Sequence, residues 1–255
     1  MMQDTKKTQE VQNTPEKQEA QHMYGGPDES ACFLVGAGEP FAMPFEPAPK
    51  DFVIAVDGGL DFLNQYGITA NLVVGDFDSL TSPPPQDNHT IVLPKEKDDT
   101  DMVAALREAW NRGYHVFRIY GGTGGRLDHT LANIQLLADI ANCGGQGFLF
   151  DRDTIITAIR DSSILFPETA RGVISVFSHT EVAVGVNERG LKYLLTDATL
   201  YNTNPIGVSN EFIGADSSIS VRSGILIIIY PKEVGIVLKQ DIGIVLQQDN
   251  PRSSV

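Results

Sequence analysis

Basic residues are scarce in this chain. It carries 19 Lys and Arg against 33 Asp and Glu, for a formal net charge of −14 over 255 residues. Sequence-independent binding of nucleic acid needs a basic face, and this balance argues against one. Single nucleotides are not excluded, because a bound cation reverses the local sign. Cysteine is scarce as well. Cys32 and Cys143 lie far apart and form no CxxC pair, which argues against a disulfide framework or a zinc site and fits a reducing, cytoplasmic setting. Apolar runs are short: none reaches the roughly 18 residues of a membrane-spanning helix. The first residues lack the apolar segment of a secretory signal. The single tryptophan, Trp110, falls on the apolar stripe of an expected helix and reads as core rather than as a ligand platform.

What is present has a clear order. Residues 1–30 are rich in Gln, Glu, Lys and Thr and hold too little apolar surface to fold, so they read as a disordered extension. From Ala31 the texture changes. Apolar runs at 31–36, 52–57, 71–75, 89–93 and 114–121 read as strands, and "TSPPPQD" between them cannot be regular structure. Helices are expected at 58–67, at 99–113 (Met102, Val103, Leu106, Ala109 and Trp110 on one face) and at 126–145 (Leu127, Leu131, Ile134 and Ala138 on one stripe). Strand and helix alternate, which predicts a mostly parallel sheet with helices on its faces. After about residue 145 the helices stop. Short runs follow at fairly even intervals ("GFLFD", "TIITAI", "ISVFSH", "VAVGV", "LKYLL", "ATLYN", "SSISVRS", "ILIIIY"), the pattern of a β-sandwich or barrel. The boundary falls near 145–160, giving one unit over 31–150 and another over 151–231. The remainder, 232–255, contains a short repeat, "VGIVLKQD" then "IGIVLQQD", too small to build a repeat fold and read as an edge strand or a fraying end.

Four clusters in the α/β half carry chemistry. Asp57-Gly58-Gly59 ends the second strand, where open parallel sheets bind ligands, though a plain turn reads as well. Asp76 and Asp78 follow the third strand. Two like charges one residue apart repel, and two oxygen donors on one side of a loop suit a hard cation such as Mg²⁺; a solvated turn is the alternative. The run from Lys95 to Asp101 crowds Asp98, Asp99, Thr100 and Asp101 into one turn before a helix. One of them suffices as a cap, leaving carboxylates that would join Asp76 and Asp78 at a metal. Last comes Gly121-Gly122-Thr123-Gly124-Gly125-Arg126-Leu127-Asp128-His129, a glycine loop opening a helix. Free N–H groups and the helix dipole there attract phosphate, and Arg126 adds a matching fork. His129 alone would pass for a surface residue; its place in this loop favours a ligand role. No Gly-Lys-Ser/Thr closes the loop, so it is not a Walker A motif. Carboxylates, a metal and a phosphate cradle along one sheet edge point to phosphoryl or nucleotidyl chemistry.

"VDGG" (56–59), "GDFDS" (75–79), "KDDTD" (97–101), "GGTGGRLDH" (121–129) and "GVSNE" (207–211) stand in this order. In them the chain resembles the thiamine pyrophosphokinase (thiamine diphosphokinase) family, over about residues 31–231 and closer to its bacterial branch. The resemblance implies an α/β fold in two parts: an N-terminal, mostly parallel, Rossmann-like sheet domain and a C-terminal all-β sandwich that binds thiamine, usually in a homodimer. It implies transfer of a pyrophosphoryl group from ATP to the thiamine hydroxyl, with release of AMP. By matching motifs, Asp76, Asp78 and Asp101 would hold Mg²⁺ with Asp98 close by. Asp57, Gly58, Thr100, Gly124, Arg126, Asp128 and His129 would line the ATP site. Ser209 and Asn210 would meet thiamine, serving the active site of the other chain. Residues 1–30 and the repeated tail have no counterpart in the family core. Two rival readings are a phosphatase of the haloacid dehalogenase type, suggested by Asp76-Phe77-Asp78 but lacking Thr or Val at position 80, and a non-enzymatic nucleotide or thiamine sensor. No membrane partner is expected.

Overall fold

The structure is a computed structural model that describes residues 30–77, 89–94, 96, 98–237 and 239–240. The expectations for 1–29, for "TSPPPQD", for Asp78, Lys95 and Lys97, and for the second repeat unit lie outside these residues.

The first half alternates as the apolar runs predict. In order come β1 (Ala31–Val35), β2 (Phe52–Val56), α1 (Gly59–Gln65), β3 (Leu72–Gly75), β4 (Thr90–Val92), α2 (Asp101–Asn111), β5 (Val116–Tyr120), α3 (Leu127–Asn142) and β6 (Gln146–Phe150). These strands pair in parallel in the spatial order β6-β5-β1-β2-β3-β4. The side chains of β1 show why the run is continuously apolar. Phe33 and Val35 enter one core cluster with Leu60 and Leu63 of α1, while Cys32 and Leu34 enter the opposite cluster with α2 and α3. A strand covered on both faces has no solvent side to mark with polar residues. Each fully buried Val, Leu or Phe contributes about 1.5–3 kcal/mol.

The second half is antiparallel: β7 (Thr154–Arg160), β8 (Ser163–Phe166), β9 (Val173–Ser178), β10 (Val182–Arg189), β11 (Leu195–Tyr201), β12 (Asn210–Glu211), β13 (Ser217–Ser220), β14 (Ile225–Pro231) and β15 (Lys239–Gln240). Four of these extend the first sheet in the order β12-β9-β14-β7-β6, giving ten strands in all. The other five form a separate sheet, β11-β10-β13-β8-β15. The expected boundary near 145–160 falls where pairing switches from parallel to antiparallel, between β6 and β7, yet the sheet runs across it without a break. The five-stranded sheet covers the face shared with α1, through Ile164, Phe166, Ala183, Val186 and Ile219 packed with Ile155, Ile174, Val176 and Leu226. The architecture is thus a mixed α/β half joined to a β-rich half.

Two local expectations are corrected and one of two alternatives is selected. "LKYLL" is not a strand of its own: only its last residue, Leu195, opens β11, while Leu191 makes one isolated bridge to Phe212 and the Asn210 side chain holds Tyr193 in place of a ladder. Leu127 and Leu131 do not face the core; they are 82% and 56% exposed, and α3 buries Asn133, Leu136, Leu137, Ala138, Ile140 and Ala141 instead. The first turns of α3 border a cavity through Arg126, His129, Thr130, Ala132 and Asn133, and its buried residues begin at Asn133. Of the two readings of the tail, edge strand or fraying end, the first repeat unit takes the edge strand. Val234 is buried, Gln146 donates to the Val237 carbonyl at 3.2 Å, and β15 forms the edge beside β8.

Candidate active site

The spatial order reverses at β1, which has β2 on one side and β5 on the other. In open α/β sheets such a reversal opens a crevice at the carboxyl ends of the strands. A cavity of about 570 Å³ lies there, lined by loops after β1, β2, β3 and β5 and by the starts of α2 and α3. All its lining residues fall between Gly36 and Asn133.

One wall is acidic. Asp57, Asp76, Asp99, Thr100 and Asp101 line it. Asp57 sits in the left-handed backbone region at φ 47°, a strain of about 1–3 kcal/mol that clusters at functional positions. Its Oδ1 accepts the Asp76 N–H at 3.1 Å. Gly75 makes room for this: a Cβ there would lie 2.0 Å from Asp57 Oδ1. Burial pushes the Asp57 carboxyl up to about 7. A hydrogen bond with Asp101 and the charges of Asp101 and Asp76 add to the rise, against the pull of the Phe77 backbone N–H. Thr100 is the cap of α2, accepting from Val103 N–H at 3.3 Å, so the acids around it are not needed for capping. Asp99 pairs with Arg107 at 2.8 Å.

The opposite wall is built for an anion. Gly121, Gly122, Thr123 and Gly125 line it with Arg126, His129 and Thr130. The N-cap residue Arg126 makes no side-chain cap bond; the His129 N–H donates to Asp128 Oδ1 at 3.0 Å, which leaves the N–H groups of Leu127 and Asp128 at the helix start for a ligand. Asp128 grips Arg126 with both oxygens, at 3.1 and 2.6 Å, and the guanidinium holds the Asp128 carboxyl down to about 2. The loop is pinned from behind. Asn133 Nδ2 donates to the Gly122 carbonyl at 2.8 Å, and Thr123 Oγ1 donates to Asp151 at 2.7 Å.

The residues singled out by sequence are thus placed unevenly. Asp57, Asp76, Thr100, Asp101, Arg126 and His129 meet at the cavity; Asp128 stands behind Arg126. Asp98 is exposed and outside the lining, where Asp99 stands in its place, and Gly124 yields to Gly125. Gly58 is the N-cap of α1, below the cavity floor. Ser209 and Asn210 are elsewhere: β12 is six strand spacings from β1, roughly 29 Å at about 4.8 Å each. Ser209 is exposed, with φ 62° and its N–H donating to Ser175 Oγ at 3.1 Å. Asn210 is 4% exposed and its amide is bonded within the protein. Sequence reading missed Gly36 and Gly38, whose loop crosses the glycine loop; a Cβ on Gly38 would lie 2.5 Å from the Thr123 carbonyl. The signal was there in "VGAG" directly after the first strand. Asn133 gave none, being one polar residue on a helix.

The donors of the acidic wall suit a hard cation in kind: all are carboxylate oxygens, and burial together with the neighbouring Asp101 and Asp76 makes the charged form of Asp57 costly, a cost that a divalent ion would offset. Among the described residues no preformed cluster of three metal-binding side chains occurs, and Asp78 lies outside them.

Comparisons with known proteins agree with this geometry. The family pattern for the thiamin pyrophosphokinase catalytic domain matches residues 48–144, and that for the thiamin pyrophosphokinase vitamin B1 binding domain matches 162–226. The thiamine pyrophosphokinase of Bacillus subtilis (strain 168) is 31% identical over 185 residues, which is 69% of this chain and 85% of that protein. The crystal structure of thiamine pyrophosphokinase from Bacillus subtilis matches with a TM-score of 0.69 at 27% identity, covering 80% of this chain and 99% of the other. That of a thiamin pyrophosphokinase family protein from Enterococcus faecalis gives 0.67 at 31% identity, covering 79% and 99%. An α/β half with this cavity, joined to a β-rich half, defines a transferase of the kinase type. The chain belongs to the thiamine pyrophosphokinase family, with bacterial relatives. It is an enzyme that transfers a pyrophosphoryl group to thiamine. Nothing in the fold or the relatives favours the phosphatase or sensor readings. No described helix is long and apolar enough to cross a membrane.

Proposed function

We propose that the cavity binds ATP with Mg²⁺, and that thiamine reaches it from the β12 edge of a second copy of the chain. The observation that carries this reading is the polarised cavity: four carboxylates on one wall, a glycine loop with Arg126 and the start of α3 on the other. Its volume is in the range of small-ligand sites. The loop N–H groups, the start of α3 and Arg126 would bind the phosphates, with Asp128 fixing the guanidinium plane. Asp76 and Asp101, with Asp57 beside them and Asp78 and Asp98 by resemblance, would hold Mg²⁺. Bound there, the ion supplies charge neutralisation of the phosphate oxygens. The thiamine hydroxyl oxygen forms a bond to the β-phosphorus and gives up its proton to water, the bond from that phosphorus to the α-phosphate bridging oxygen breaks, and AMP leaves.

The second copy is invoked for a geometric reason. Ser209 and the cavity stand too far apart to share one small substrate within a chain. Exposed apolar side chains occur at both places: Leu127 and Leu131 on α3 beside the cavity, and Tyr193, Leu194, Val208 and Ile213 around β12. Such patches mark contact surfaces. In this reading the antiparallel end of the large sheet and the five-stranded sheet serve as the two layers of a sandwich.

The direct experiment mixes protein, ATP, Mg²⁺ and thiamine. AMP and thiamine diphosphate should appear together in equal amounts. Absence of both from folded protein overturns the proposal, and phosphate release without thiamine would move the reading to a phosphatase. A second expectation concerns Asn133. Asn133→Leu keeps the branched outline of the side chain but strands the buried Gly122 carbonyl, at a cost of about 1–3 kcal/mol. The glycine loop should loosen, seen as a lower melting temperature and a raised KM for ATP with little change in the KM for thiamine. Unchanged ATP kinetics would show that the loop keeps its shape without this bond.

A further inference from the structure

Glu188, on β10, is a carboxylate without an evident structural reason. It is 1% exposed, its neighbours across the ladder are Ile219 and Leu195, and among the described residues its Oε1 has no hydrogen-bond partner. A lone buried carboxylate is costly unless it holds something in place. Its Oε2 accepts from Asn210 Nδ2 at 2.6 Å. This bond joins the five-stranded sheet to the edge strand of the large one. The rest of the Asn210 amide holds the neighbouring loop: Nδ2 also donates to the Tyr193 carbonyl at 2.6 Å, while Oδ1 accepts the N–H groups of Tyr193 at 3.0 Å and Glu211 at 2.9 Å.

An asparagine amide can sit either way round in a socket, and the two ends differ in what they demand. An ionised glutamate accepts and never donates. It therefore matches the Nδ2 end, the orientation that the Tyr193 carbonyl and the two backbone donors also require, and ties that amide to β10. The reversed amide would set an oxygen against the carboxylate and an NH₂ against two N–H groups. Burial raises the Glu188 carboxyl above the ordinary glutamate range and the Asn210 bond draws it back. The orientation of Asn210 in turn fixes the exposed lip made by Tyr193, Leu194, Val208 and the left-handed Ser209.

We propose that Glu188 is a positioning residue for thiamine recognition, locking the Asn210 amide and through it the lip of Tyr193 and Ser209 that faces the vitamin. The inference rests on the reading that this lip meets thiamine. It assigns to Glu188 no contact with ATP, whose cavity is lined by residues 36–133 alone.

The test is Glu188→Gln in the full chain, with Ser209→Arg as a control. A glutamine keeps the shape but removes the charge, so the charge-assisted bond that ties the Asn210 amide to β10 is weakened. The KM for thiamine should rise about tenfold, the effect of one weakened buried hydrogen bond. The KM for ATP should stay within about twofold and the melting temperature should hold, because a buried charge has been removed. An unchanged thiamine KM, or equal losses for both substrates, overturns the proposal. Glu188→Ala, which leaves a cavity, should melt lower and show the same thiamine-selective defect; a loss of stability with unaltered thiamine KM would make the residue structural only. Ser209→Arg places bulk and positive charge on the lip. If it raises the thiamine KM while Glu188→Gln does not, only the role of Glu188 fails. If Ser209→Arg leaves the thiamine KM unaltered, the lip is not the thiamine site and both readings fall.

Discussion

Asp101→Asn is expected to lower kcat/KM for thiamine pyrophosphorylation by at least about a thousandfold, the scale of losing a group that stabilises charge in the reacting state, while the protein keeps its fold. The reason lies in what Asp101 does not do. It stands in the first turn of α2, but Thr100 is the cap. The helix would lose only the favourable interaction of an acid with its N-terminus, about 0.3–1 kcal/mol. Against that, the change relieves repulsion with Asp57, whose carboxyl is pushed up first by burial and then by this neighbour. An asparagine can still hydrogen-bond to Asp57, so the local geometry survives. Melting of metal-free protein should therefore stay near wild type or rise slightly, whereas AMP release in the presence of Mg²⁺, ATP and thiamine should nearly vanish. Near-normal turnover would remove Asp101 from the reacting centre, and a steep fall in melting temperature would make it a structural residue instead. Activity falling as stability holds is the mark of charge kept for chemistry at the expense of the empty site.

The acidic wall was legible from sequence because excess is legible. A turn that needs one cap and contains Asp98, Asp99, Thr100 and Asp101 announces a second task, and an aspartate at the carboxyl end of a parallel strand has a known place to point. The glycine loop was legible for the same reason. What the sequence withheld depends on how distant segments meet. Asp98 and Asp99 are equivalent on paper; the turn into α2 aims Asp99 at the cavity and leaves Asp98 in water. Leu127 and Leu131 carry a helical stripe that would be buried in most helices. Here the first turns of α3 border the cavity, and Leu127 and Leu131 face outward. The single change from parallel to antiparallel pairing between β6 and β7 was visible as the end of the helices. The continuity of the ten-stranded sheet across it was not, since strand partners are set by long-range packing rather than local pattern. Asn210 shows the same limit at a site. Its motif marks it as important, and only its four hydrogen bonds reveal that it organises the lip from within, with Ser209 left to face outward.

Mixing two inactive proteins should restore activity. Asp101→Asn destroys the cavity of its own chain but leaves the β12 lip intact; Ser209→Arg spoils the lip and leaves the cavity. Within one chain the two lie roughly 29 Å apart, counted as six strand spacings at about 4.8 Å, so a site that needs both takes one from each copy. Dimers are commonly two-fold symmetric and carry two equivalent sites. After unfolding and refolding an equal mixture, about half the dimers pair unlike chains, and in each of these one site joins an intact cavity to an intact lip. The mixture should then recover about a quarter of wild-type activity by this two-fold counting, from two parents that each show little. If cavity and lip served the same chain, every site in the mixture would carry one lesion and mixing would recover nothing. The same experiment run with Asp101→Asn and Asp76→Asn is the internal control: both lesions lie in the cavity, so no pairing repairs either, and recovery there would point to a trivial source. Rescue confined to the cavity–lip pair ties the exposed Leu127 and Leu131 beside one site to the apolar lip of the other copy. It also gives the unburied stripe of α3 the covering surface that the single chain does not supply.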